Sequence, residues 1–305
     1  MYEPVDQQIS LDVGQRGSRS LYAAARGDEP QSKTASEALL EALEPGKPVV
    51  LTTGFPVGPE ATPETDGPLG TAVLAETLAA LGADPWIVVD ERTRPVLDAL
   101  LAVLDGSSQL RTLPAASDGT ALLEPEPAAV LAVETPGRTA DGSYRNMTGE
   151  DISTQVSPRD ALFEQAAEAG ILTVGIGDGG NEIGMGAISG AVADHITHGE
   201  TISCVTSVDE LVVAGVSNWG AYGLVCGLSL ATGQQLLHTG ETERRLLAAA
   251  VEAGAIDGVT GEPTESVDGI PAAVHAHVVD ILRYYASQND DARPTFSGYR
   301  NATNE

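Results

Sequence analysis

The chain is poor in positive charge. Lysine occurs only at positions 33 and 47, and Lys plus Arg total 16 against 44 Asp plus Glu, for a net charge of −28 over 305 residues. Nucleic acid is excluded as a partner, because phosphate binding requires clustered cations. The excess of acid reads as a solvated surface of the kind a very salty cytoplasm screens, so a halophilic chain is expected. No apolar run approaches the length of a bilayer span, and the N-terminus lacks a basic-then-apolar signal pattern. No membrane partner is expected, and the expected location is cytoplasmic. Cysteine is limited to Cys204 and Cys226, outside any C-x-x-C spacing. They read as buried small hydrophobes in a reducing compartment.

Missing motifs exclude further chemistry. There is no Gly-Lys-Ser/Thr sequence, hence no P-loop, and no G-x-S-x-G nucleophile elbow. Histidines are few: His195 and His198 share a helix face and read as surface groups, while His275 and His277 point to different faces of theirs. Without clustered histidines, any metal site here would be built from oxygens, which favours Mg²⁺ or Mn²⁺ over Zn²⁺.

What is present is an alternation of strand-like and helix-like segments. Strands are expected at 47–53, 86–90, 128–134, 171–176, 201–207 and 211–215, and helices at 71–81, 94–104, 160–169, 188–197, 218–230, 241–252 and 271–287. The pattern predicts an α/β fold: a mainly parallel or mixed sheet, helices on both faces, and a ligand site at the carboxyl ends of the strands. A single unit over 1–287 is expected, with a weak candidate division near 151–158. The stretch 105–127 reads as a surface excursion, and 288–305 as a polar tail.

Glycines and acids concentrate where strands end. The densest case is Gly175-Ile-Gly-Asp-Gly-Gly-Asn-Glu-Ile-Gly-Met-Gly186, which carries Asp178 and Glu182. It formally matches a dinucleotide fingerprint, but Asp178 stands where a pyrophosphate would lie, so no nucleotide cofactor is expected. Carboxylates in such a loop face a cation, either a metal or an ammonium group. Other strand-end segments are Thr52-Thr-Gly-Phe-Pro56, Glu64-Thr-Asp-Gly-Pro-Leu-Gly70, Glu134-Thr-Pro-Gly-Arg138 with Gly142–Gly149, and Ser217-Asn-Trp-Gly-Ala-Tyr222. Asp66 and Asn218 are also good helix caps, and Asp257-Gly and Asp268-Gly are also ordinary turns. Arginine is scarce, so Arg138 and Arg145 beside strand-end glycines are candidates for bidentate capture of a substrate carboxylate.

Taken together, these segments resemble the D-glutamate cyclase family. The resemblance is carried by Thr53-Gly-Phe-Pro56, Glu64-Thr-Asp-Gly-Pro68, Gly177–Gly186, His195-Ile with Gly199, Val216-Ser-Asn-Trp-Gly-Ala-Tyr222 and Ser266-Val-Asp-Gly269. It runs from about Gln8 to Tyr285, and Ala187 departs from it where a polar residue is expected. The resemblance implies cyclisation of free D-glutamate to 5-oxo-D-proline with loss of water, by a unit that stands alone here but is the C-terminal part of a longer mitochondrial protein in eukaryotic relatives. On this basis Asp178, Glu182 and Asn181 are the expected catalytic residues. Thr53, Gly54, Arg138, Arg145, Asn146, Gly179, Gly180 and Asn218 are expected to bind substrate. Arg138 would hold the α-carboxylate, and the backbone N–H groups of Gly179 and Gly180 would stabilise an oxyanion. Glu64, Asp66, Asp178 and Glu182, with Asp268 as a further candidate, would hold Mn²⁺ or Mg²⁺, or else Ca²⁺. The expected partner is a small acidic amino acid, and a homo-oligomer is left open. Two competing readings remain: another metal-dependent enzyme on this scaffold, hydrolysing a phosphate ester or amide, and a non-catalytic binding module for an acidic metabolite.

Overall fold

The structure is a computed structural model that describes residues 1–114 and 117–288. The polar tail expected over 288–305 therefore lies, from 289 on, outside the described residues. In chain order the strands are β1 (Pro48–Thr53), β2 (Pro56–Val57), β3 (Thr62–Pro63), β4 (Asp84–Val89), β5 (Gln109–Thr112), β6 (Ala129–Val133), β7 (Leu172–Gly177), β8 (Glu210–Val213), β9 (Ser266–Val267) and β10 (Ile270–Pro271). The helices are α1 (Tyr2–Ile9), α2 (Ser18–Ala25), α3 (Gln31–Ala42), α4 (Pro68–Ala80), α5 (Arg94–Val103), α6 (Asp160–Glu168), α7 (Ser189–His195), α8 (Gly199–Ile202), α9 (Ser217–Thr232), α10 (Gly240–Glu252) and α11 (Ala272–Ala286).

Six strands form one sheet in the order β5-β4-β1-β6-β7-β8, and every neighbouring pair is parallel. Continuous apolar runs such as Val49-Val-Leu51 and Ala129-Val-Leu-Ala-Val133 form these strands because both faces are covered. Val49, Leu51, Leu131, Val174 and Ile176 face a core shared with α4, α9, α10 and α11. Val50, Val130 and Ala132 face the opposite core, with Leu162 and Phe163 of α6. The winding reverses between β1 and β6, and in a doubly wound sheet that reversal opens a crevice at the carboxyl ends of the two strands.

Gly175 shows how the Gly-rich loop closes over this crevice. A Cβ there would lie 2.7 Å from the carbonyl oxygen of Ile183 and 3.0 Å from Gly184 Cα, so only glycine lets the returning loop lie on β7.

Three stretches of chain differ from expectation. The strand expected over 201–207 is instead α8 followed by extended chain. Its backbone pairs with loops rather than the sheet: Cys204 N–H donates to Gly180 O, Val205 N–H to Arg138 O, and Thr206 O accepts from Gly184 and Gly186. Short apolar alternation cannot separate these cases. The 105–127 excursion contains edge strand β5. Helices α1 to α3 were not expected; α3 begins where the buried Asp6 carboxylate accepts the N–H groups of Gln31 and Ser32. Residues 151–158, where a division was weighed, lie between β6 and β7, which pair directly, and Ile152 and Val156 pack with Phe55 and Tyr144.

Candidate active site

The chain leaves β1 at Thr53 and makes a fourteen-residue excursion, 54–67, before α4 begins. Hairpin β2–β3 occupies its middle, and Glu64 and Asp66 close it. Gly67 adopts φ +92, and a Cβ there would sit 2.6 Å from both Glu134 Cβ and Thr53 Oγ1. Glycine is thus what allows Asp66 to be pressed against the ends of β1 and β6. The Asp66 carboxylate accepts the N–H groups of Ser217 and Asn218, each at 2.8 Å, at the start of α9. In return, Asn218 Oδ1 accepts the N–H groups of Gly67 (3.0 Å) and Gly70 (2.7 Å) at the start of α4.

Glu134 follows β6 directly and holds φ +46, a left-handed conformation that costs a non-glycine residue about 1–2 kcal/mol. Its carboxylate accepts from the Ser217 hydroxyl. After β7, the loop folds Glu182 back on itself. The Glu182 carboxylate accepts three backbone N–H groups, from Asp178 (3.1 Å), Gly179 (2.7 Å) and Gly180 (2.7 Å). Asp178 is left facing the crevice.

Opposite Asp178 stands Arg16, from the segment joining α1 to α2. Its Nη2 lies 2.6 Å from Asp178 Oδ2, 2.6 Å from Asp268 Oδ2 and 3.1 Å from Gly215 O. Asp268 (φ +56) is presented by a loop organised around the buried Asp257. The Asp257 carboxylate accepts from Val259, Thr260 and Gly269 N–H and from the Ser266 hydroxyl.

These groups surround a cavity of about 300 Å³. Glu64, Glu134, Asp178, Glu182 and Asp268 line it, with Arg16 as the only basic side chain among its described lining residues. Phe55, Val57, Met147 and Val259 give it an apolar rim. Burial pushes the carboxyls up. Asp66 is raised to about 8 by burial and then by the charge of Asp268, against the lowering effect of the Ser217 and Asn218 N–H groups. Glu64 is raised well above the ordinary range by burial and by Asp66; Glu134 by burial and by Glu182. Asp178 is raised by burial even though Arg16 opposes the shift. Burial disfavours the Arg16 charge, but Asp178 and Asp268 more than offset this and hold it cationic. Glu64, Asp66, Glu134 and Asp178 are therefore all biased toward their protonated forms, because burial and mutual repulsion outweigh the one guanidinium.

The donor set fits a hard divalent ion. Carboxylate oxygens of Asp66, Glu134 and Asp178 lie within 4.8 Å of one another. Two buried oxygens beside them, Glu64 Oε1 and Thr53 Oγ1, have no hydrogen-bond partner. No histidine or cysteine lines the cavity among the described residues, so its anionic donors are all hard carboxylate oxygens.

Of the residues singled out from the sequence, Glu64, Asn146, Asp178, Asn181, Glu182 and Asp268 line the cavity. Thr53 and Asp66 border it through Glu134, and Gly54 donates its N–H to Glu134 O. Asn181 Nδ2 donates to Arg145 O and holds the 145–147 segment at the rim, and the Asn146 side chain forms a turn with Thr148 and Glu150. Others lie elsewhere. Arg138 is half-buried and paired with Glu164, and Arg145 is engaged with Gly149 O and Asp141; neither lines the cavity. Asn218 caps α4 from within the core. The Gly179 and Gly180 N–H groups cannot serve an oxyanion here, because Glu182 already fills them. Glu134 and Arg16 were not singled out as site residues. Glu134 had a signal, an acid immediately after a strand at the winding reversal; Arg16 had none.

A family model described as "D-glutamate cyclase-like, C-terminal" matches residues 5–283. The human protein "D-glutamate cyclase, mitochondrial" is 33% identical over 91% of this chain, which spans 50% of that relative's length. Among solved structures, the crystal structure of levodione reductase matches 82% of this chain and 93% of that one, at 14% identity and a TM-score of 0.29, too low to carry an argument.

Proposed function

The chain belongs to the D-glutamate cyclase-like C-terminal family, and from that premise we propose that it closes free D-glutamate to 5-oxo-D-proline with loss of water. The observation that carries this reading is the convergence of Asp66, Glu134 and Asp178, with Glu64 beside them, where the winding of the sheet reverses.

The reaction moves two protons from the α-ammonium nitrogen to one γ-carboxylate oxygen. A bond forms between that nitrogen and the γ-carbonyl carbon, the carbon–oxygen bond breaks, and the oxygen leaves as water. Charge balances without an outside proton. A carboxyl that both accepts and returns a proton is what such a transfer needs. Glu64 is suited to it: buried, raised in pKa, lining the cavity, and with Oε1 free of protein partners.

Asp66, Glu134 and Asp178 form the seat for a positive charge, either the substrate ammonium or a divalent ion, Mn²⁺ or Mg²⁺ before Ca²⁺. Bound there, such an ion would supply the charge that makes the γ-carboxylate a better electrophile. The apolar rim of Phe55, Val57 and Val259 receives the substrate methylenes, so that the chain curls toward five-membered closure. A salty cytoplasm as the setting belongs to the same reading and is supported by the −28 charge; among the described residues no helix is long and apolar enough to cross a membrane.

The test is to incubate the purified protein in high KCl with D- or L-glutamate, with and without Mn²⁺ or Mg²⁺, and to follow 5-oxoproline by NMR. Formation from the D-enantiomer is the expected result. If neither enantiomer cyclises with either metal, the cyclase reading fails. Turnover of a phosphate ester or amide instead would make this a hydrolase on the same scaffold.

A further inference from the structure

We propose that Arg16 sorts the two ends of the substrate: its guanidinium takes the α-carboxylate and so directs the ammonium and γ-carboxylate toward the acids. This rests on the cyclase reading above.

The argument begins with the scarcity of cations. Five carboxyls line the cavity, and an amino acid with two carboxylates can enter only if one of them meets positive charge. Arg16 is the only basic side chain among the described lining residues. All of its side-chain hydrogen bonds run through Nη2, which leaves Nε and Nη1 without a protein partner among the described residues. A guanidinium presents its N–H groups in a fixed planar fork, so anchoring one nitrogen aims the other two. Those two are the nitrogens that the proposal gives to the substrate carboxylate.

The backbone that carries Arg16 is held with equal care. Asp12 accepts the N–H groups of Arg16 (2.8 Å) and Gly17 (2.9 Å), and Gly215 donates its N–H to Ile9 O. Gly215 packs directly against Leu11 O, so a side chain there would displace the segment.

Ring closure decides which carboxylate binds Arg16. The nitrogen and the γ-carboxyl carbon must meet beside the proton-carrying acids, so the group left over is the α-carboxylate. Arg138 and Arg145 are not competitors, being engaged outside the cavity.

The experiment compares D-glutamate with its α-amide on the native chain and on Arg16→Gln and Arg16→Lys, measuring binding by ligand-observed NMR alongside kcat and KM. The native chain should favour D-glutamate by roughly 10- to 100-fold, the range of hydrogen bonds to charged groups. Arg16→Gln should raise KM for D-glutamate by that factor, lower kcat less, and leave the amide within about threefold, while Arg16→Lys should fall between. If Arg16→Gln weakens both compounds equally, or neither, Arg16 is a counter-ion only and the proposal is overturned. Should Arg16→Gln fail to fold, Arg16→Lys keeps the counter-charge while losing the fork, and unchanged discrimination by it would equally overturn the proposal. Binding of D-glutamate without cyclisation would remove the reaction and leave Arg16 to be judged on the binding data. Absence of binding would remove both.

Discussion

Asp66 and Asn218 cap each other's helices. The carboxylate of Asp66, one residue before Gly67, serves the first N–H groups of α9, and the side-chain oxygen of Asn218, inside α9, serves Gly67 and Gly70 at the start of α4. Two positions 152 apart in sequence are thereby tied across the crevice. Asn218→Ala takes the partner from the Gly70 N–H and from the Thr65 carbonyl, while Gly67 N–H keeps Asp66 Oδ1, and we expect it to destabilise the chain by about 3 kcal/mol. The urea midpoint in high KCl measures this. A loss below about 0.5 kcal/mol would mean that water replaces the amide at no cost.

Asp178→Asn and Glu134→Gln are expected to lower kcat/KM for D-glutamate by about 100-fold or more with the thermal midpoint largely kept. Arg138→Ala, which opens an exposed ion pair with Glu164, and Arg145→Ala should each stay within about threefold of the native chain. Steady-state kinetics on the four variants decides. Full turnover by Asp178→Asn would refute the site.

Stability should fall as pH rises from about 4 to about 8 through the buried carboxyls. The folded chain keeps a proton on Asp66 up to about pH 8, whereas an unfolded aspartate loses it near pH 4. Within that window the folded state binds more protons, so the contribution is full below about pH 4 and is lost as pH approaches 8. Glu64, Glu134 and Asp178 shift in the same direction. Asp66→Asn should therefore flatten the slope by up to about 1.4 kcal/mol per pH unit. Thermal midpoints between pH 5 and 8 report this, and an unchanged slope would show Asp66 ionised throughout. Added Mn²⁺ should raise the midpoint more at pH 8 than at pH 5, because an ion must displace the protons.

Added KCl should raise the thermal midpoint. Forty-four acids against 16 basic residues repel one another, and screening shortens from about 10 Å at 0.1 M to about 3 Å at 1 M salt. Calorimetry across that range tests it; a midpoint that falls with KCl would remove the high-salt reading.

The sheet was legible because strands buried on both faces read as unbroken apolar runs, as in Val49–Leu51 and Val130–Val133. Helices α1 to α3 were not, because they are short or low in apolar residues and packing against α9 and β8 stabilises them. Glu64, Asp66, Asp178 and Glu182 stood out in the sequence as acids among glycines at strand ends, but only the fold shows that Asp66 and Glu182 also hold backbone N–H groups. The role of Glu134 depends on a left-handed backbone that its sequence does not display. Arg16 meets Asp178 from 162 positions away, so only the folded chain pairs them. Scarcity of arginine drew attention to Arg138, which sits beside strand-end glycines but pairs with Glu164, whereas the arginine that lines the cavity is Arg16.

The cavity draws on Arg16, Glu64, Glu134, Asp178 and Asp268, which between them span nearly the whole described chain. Contacts between such distant positions close long loops, as the packing of α1 on α11 also does, so the site is complete only when both ends of the described chain are in place. During refolding, the sheet and its helices can be in place before these side chains meet. Turnover should then recover after the circular dichroism signal, which makes the reaction itself a clock for the last step of folding.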